Sequence, residues 1–251
     1  MITDSFDNRS PAKINVTKNE NAVKVEAVIL TFSHVIEEYV VQNYDCEKVG
    51  ELKMVHGATA VYCLRYHGKK YGFFRTWVGA PACVGSIEEV RSILDTDKVI
   101  HFGGAGCLDK EIARGKVMVP TQAYRDEGTS YHYAPASDYI AVKNAAAVAA
   151  FMKKNRIPYV TGKTWTTDAF YRETQHNRDR RVADGCLCVE MECSAAQAVC
   201  DFRGLELYQF VYAADSLNGK WARRILGDLE KDARLQYFAV AWEIARRLQE
   251  E

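Results

Sequence analysis

Seven short runs rich in Val, Ile, Tyr and Phe recur along the chain, at residues 25–32, 60–66, 71–78, 98–102, 116–120, 159–165 and 207–214. Branched and aromatic side chains suit a pleated, half-buried surface, so these runs read as strands. The second and third are separated only by "HGKK", where Gly68 can take positive φ, and a hairpin is expected there. Helical patterns fill other gaps. Ser86 followed by Glu89 predicts a capping box for a helix through about Leu94. The Ala-rich "KNAAAVAAFMKKN" ends on basic residues before Pro158. A last helix, from about Asp228, carries Tyr237, Ala241, Ile244, Ala245 and Leu248 on one face. Strands alternating with helices predict an α/β fold, and the hairpin makes its central sheet mixed, flanked by helices.

The 251 residues, 48% of them hydrophobic, are enough for one large core. With no repeat or linker, a single domain is expected over residues 21–251, preceded by a polar, proline-bearing arm at 1–20. Basic and acidic residues number 33 each, so no electrostatic footprint suggests nucleic acid or an anionic membrane as a partner. No apolar run approaches the roughly 20 residues that span a bilayer, and "MITDSFDNRSPAK" has no apolar secretory core, so a cytoplasmic protein is expected. The eight cysteines lie in apolar runs without a C-x-x-C pair and read as free, buried thiols. The six histidines lack H-x-x-x-H spacing, and no metal site is expected.

Ligands of open α/β sheets sit beyond the carboxyl ends of strands. There "VIHF" runs into Gly103-Gly104-Ala105-Gly106, "CLCV" into Glu190-Met191-Glu192, and "LYQFVYAA" into Asp215-Ser216, while "TTDAFYRET" offers Phe170 and Tyr171. Each has a plainer reading. A glycine-rich stretch after a strand is often just a tight turn. Asp215 could cap a short helix. Phe170 and Tyr171 could be core, and the two glutamates could complement a helix dipole at its start.

The order of these elements resembles the nucleoside phosphorylase family, which includes purine nucleoside phosphorylases, uridine phosphorylases and nucleosidases. The resemblance runs from about Val25 to the C-terminal helix, and is carried by "VEMECSA", "FGGAGCLDKEIARGKVMVP", "GKTWTTDAFYRET" and "VYAADS". It implies an α/β enzyme that cleaves the N-glycosidic bond of a nucleoside with phosphate as co-substrate and no other cofactor. It further implies Glu192 as acceptor of the ribose hydroxyls, Met191 against the sugar, Glu190 as an auxiliary polar group, Phe170 and Tyr171 at the base, and Asp215 as the acid that protonates a departing purine. A charged acceptor for two hydroxyls would orient the sugar, and the donor would offset charge building on the base. Purine is favoured over uridine because no Q-x-R follows Phe170. Phosphate is expected on the backbone of Gly103 and Gly104, on His101 if protonated, and on Arg172 or Arg75. The family's Gly-Asp-Pro loop has no match, and His101 stands where an arginine is usual. Hydrolysis by water, uridine-type specificity and a catalytically weak nucleoside binder are therefore alternatives. A homo-oligomer, dimer or hexamer, is implied.

Overall fold

The structure, a computed structural model, describes residues 1–17, 19–55, 57–109, 116–216 and 231–247, with the backbone alone at 215, 216 and 231–233. A mixed sheet runs through the molecule. In chain order its elements are β1 (Val23–Lys24), β2 (Val28–Thr31), α1 (His34–Asn43), β3 (Cys46–Met54), β4 (Gly57–Tyr66), β5 (Lys69–Arg75), α2 (Ala80–Val90), β6 (Leu94–Asp95), β7 (Lys98–Cys107) and β8 (Val117–Asp126). They continue with β9 (Tyr139–Ala141), α3 (Ala145–Lys154), β10 (Tyr159–Thr167), α4 (Gln175–Ala183), β11 (Cys186–Glu190), α5 (Cys193–Arg203), β12 (Glu206–Ser216) and α6 (Lys231–Arg247).

All four residues of β2 are buried, as an unbroken apolar run on an interior parallel strand requires. Along β7 the period of two sends Ile100 and Phe102 to one face and Val99 to the other. The first face packs on α1, α3 and α6 through residues such as Ile36, Val148 and Phe238. The second packs on α2 and α5 through Val84, Ile87, Ala195 and Val199. The expected hairpin is present: β4 and β5 are antiparallel, and His67 and Gly68 between them both take positive φ, 48° and 77°.

Two sequence expectations fail. Ser86 does not cap a helix; it lies inside α2, where its hydroxyl donates to Ala82 O at 2.9 Å and accepts from the Thr76 hydroxyl at 2.9 Å. The helix starts six residues earlier, with Pro81 in its first turn, where a missing N–H costs nothing. The second failure is the glycine turn. Residues 103–106 continue β7 and pair in parallel with β12, and none of the three glycines takes positive φ. Asp228 and Leu248, the expected limits of the last helix, lie outside the described residues.

The sheet order is β11-β10-β8-β12-β7-β2-β5-β4-β3, with β9 on β8. Strand β11 also pairs antiparallel with β7, at Cys188↔Cys107 and Val189↔Gly106. The strands β7, β12, β8, β10 and β11 thus close into a ring, which brings distant segments together at its seam. Among the described residues no helix is long and apolar enough to cross a membrane.

Candidate active site

The seam has Gly106 at its centre. On one side Gly106 pairs with Val189, one residue before Glu190; on the other it pairs with Asp215. Neighbouring strands lie just under 5 Å apart, so the backbones bearing "VEME" and Asp215 are about 10 Å apart across β7.

Glu190 ends β11, and all its bonds are internal. Its Oε1 accepts from the hydroxyls of Thr164 (3.2 Å) and Thr166 (2.6 Å). Its Oε2 accepts from the backbone N–H of Glu192 (2.8 Å) and Cys193 (2.6 Å), the first amides of α5. The third amide, of Ser194, donates to Thr166 Oγ1 at 3.1 Å. These are donors that a helix start leaves without intrahelical partners. Burial pushes the Glu190 carboxyl up, against the pull of its four donors.

Glu192 sits at the N-cap position of α5 and is only 6% exposed. Its Oε1 accepts the backbone N–H of Gly79 at 2.6 Å, from the segment between β5 and α2. Burial first, and then the charge of Glu190, pushes its pKa up to about 8. No cationic side chain forms an ion pair with either glutamate among the described residues. A further carboxylate braces the helix start: Glu127 accepts from Ser194 Oγ at 2.9 Å and from Ser130 N at 2.9 Å.

Phe170 and Tyr171 lie on a single 3-10 turn beyond β10, 50% and 86% exposed, with ring centroids 4.1 Å apart. Their exposure removes the core reading. Asp168, at the foot of this turn, accepts the backbone N–H of Gly128 at 3.0 Å.

The model of one protein family, described as the phosphorylase superfamily, matches residues 26–243. The chain belongs to that superfamily. A purine nucleoside phosphorylase of the DeoD type from Bacillus subtilis is 25% identical over 186 residues, covering 72% of this chain and 76% of the relative. The uncharacterized protein R802 of Acanthamoeba polyphaga mimivirus is 24% identical over 165 residues, covering 66% and 64%. The crystal structure of a uridine phosphorylase from Vibrio fischeri shares the fold, with a TM-score of 0.73 at 22% identity over 93% of this chain and 94% of that one.

Against the phosphorylase superfamily fold, the sequence-derived residues divide. Glu190, Met191 and Glu192 lie together at the seam with the backbone of Asp215; the Asp215 side chain lies outside the described residues. His101 is corrected as a phosphate cation. It is 1% exposed inside β7, its Nδ1 is 3.1 Å from Gln209 Oε1, and burial lowers its pKa to about 4, so it is neutral at physiological pH. Gly103 and Gly104 are corrected as a turn: both lie in β7, one edge of which pairs there with β12. Arg75 is held by Glu37 at 2.6 Å, and Arg172 lies exposed on the 3-10 turn with Phe170.

Sequence reading missed Gly79, Thr164, Thr166, Glu127 and Ser194. Thr164 and Thr166 were detectable in principle, since alternate strand positions share a face. Gly79 was not, because it meets Glu192 across 113 positions of sequence.

Proposed function

We propose that the protein cleaves the N-glycosidic bond of a purine nucleoside and transfers the ribosyl group to phosphate. The observation that carries this reading is the buried Glu192 carboxylate, anchored by Gly79 at one oxygen and set about 10 Å of backbone from Asp215 across one strand. Two ribose hydroxyls donating to Glu192 compensate its burial and orient the sugar. Met191 lies against the sugar, and Glu190 acts from behind by holding the start of α5. Phe170 and Tyr171 form the wall for the base. Asp215 protonates the base as the C–N bond breaks and negative charge builds on it. Support for purine comes from Asp215 at a strand end, from the absence of Q-x-R after Phe170, and from the names of the curated relatives. Phosphate is the co-substrate and no other cofactor takes part; the protein works in the cytoplasm as a homo-oligomer.

A second reading, hydrolysis by water, is favoured by the neutral His101 and by the engagement of Arg75 with Glu37. Inosine and adenosine cleavage, followed as base release with and without phosphate, separates the two. Phosphorolysis requires that release stop without phosphate; undiminished release assigns water as the acceptor. Nucleoside binding by calorimetry with no turnover in either buffer would sink both readings. Asp215→Asn should cut turnover on inosine by about 10²–10⁴-fold, with little loss on a substrate whose leaving group needs no proton. Equal losses on both would remove Asp215 from the role of acid.

A further inference from the structure

At the opposite end of the sheet, where the parallel strands begin, lies a cavity of about 730 Å³, a volume suited to a small organic ligand. Lys98, on its rim, opens β7, and Gly106 lies eight residues further along that strand, about 26 Å away. The cavity is therefore separate from the seam.

Four lysines line it: Lys24, Lys69, Lys70 and Lys98. None has its ammonium in an ion pair among the described residues, in contrast to Lys48, Lys53 and Lys143. Two arginines on the rim, Arg91 and Arg203, are already engaged by Glu88, at 3.2 and 2.8 Å. The surrounding backbone is occupied as well: Glu26 N donates to Lys70 O at 2.8 Å, Val25 N to Asp95 O at 3.1 Å, and Glu206 N to Asp97 O at 2.7 Å. Recognition there falls to side chains. Ammonium groups on flexible stems match a multiply charged anion as point charges, without fixed direction. Carboxylates share the cavity, at Glu26 and Asp97, over apolar lining that includes Val25 and Leu94. A bare inorganic anion would be repelled by them, whereas hydroxyl groups would donate to them.

We propose that this cavity binds a phosphorylated sugar, free or as part of a nucleotide, with the phosphate on the lysines and the sugar hydroxyls on the carboxylates. Calorimetry of the full chain with ribose 5-phosphate, AMP and inorganic phosphate tests it. Saturable binding of ribose 5-phosphate or AMP, weakened by salt, is expected, because the lysine contacts are solvent-accessible. The tighter of the two tells whether the free sugar phosphate or the nucleotide is the better ligand. The double variant Lys69→Glu, Lys70→Glu should lose about tenfold or more in affinity, as reversal of two contacting charges implies. Lys98→Gln provides a milder change should the double variant fail to fold. Glu192→Gln, at the far end of the sheet, should leave binding intact. The proposal is overturned by no saturable binding, by inorganic phosphate binding as tightly as either organic ligand, or by binding that survives the lysine changes and disappears in Glu192→Gln.

Discussion

Glu190 and Glu192 stand two residues apart, and their surroundings give them different work. Glu190 spends both oxygens on four internal donors and so fixes the start of α5, whereas Glu192 keeps one anchor, at Gly79. The pair does start a helix, as the plain reading of "VEME" expects, yet both side chains are buried. The Glu192 carboxyl ionises near 4.5 in an unfolded chain and near 8 in the fold. Between these values the folded protein keeps a proton that the unfolded one has lost. The stability this confers is complete below pH 4.5 and is lost as pH rises through 8, at up to about 1.4 kcal/mol per pH unit. Glu190, raised in the same direction, adds to the slope. Glu192→Gln should therefore flatten the fall in denaturation midpoint between pH 5 and 8, with urea titrations at several pH values as the measure. An unchanged slope would mean that Glu192 is ionised in the fold. Hydroxyl donors stabilise the charged form, so nucleoside binding below pH 8 should release protons, seen as a dependence of the calorimetric heat on the ionisation heat of the buffer.

At the scale of elements, β7 departs most from its sequence appearance. Four residues with three glycines read as a turn, yet they form strand because neighbours approach too closely for side chains. A Cβ on Gly104 would lie 2.7 Å from the Ala214 Cβ, and one on Gly103 would lie 3.0 Å from the Phe32 ring. The glycines thus serve close strand packing, which no local propensity reports. Gly104→Ala must push β12 outward beside Asp215. Turnover should fall by more than binding weakens, while far-ultraviolet circular dichroism stays native; steady-state kinetics and calorimetry on the same variant check this. An unchanged turnover would show that the position of β12 is not coupled to the chemistry. Helix α5 shows the opposite case. It ends at Gly204 with φ 68°, a left-handed cap that glycine adopts without steric cost, and Gly204→Ala should cost about 1–2 kcal/mol of stability in a denaturant titration.

For the whole molecule, closure of β7, β12, β8, β10 and β11 into a ring ties early and late parts of the chain to one seam. Trp165 lies buried in the cluster with Leu108 and Val189, while Trp242, a residue of α6, lies in the large core. If the ring couples these regions, tryptophan fluorescence and circular dichroism should report one coincident denaturant transition. Separated transitions would show that the two regions unfold independently. Period-two and period-3.6 patterns and a hairpin turn were legible in the sequence, since each is set by neighbours a few positions apart. They were enough for the α/β class and the mixed sheet, whereas the burial of the acidic pair and the partners around it were not. The neutrality of His101, the strand at 103–106, the hold of Gly79 on Glu192 and the approach of Asp215 to the seam were decided only in three dimensions. Desolvation, close packing and cross-strand pairing join residues up to 113 positions apart, and no local pattern encodes them.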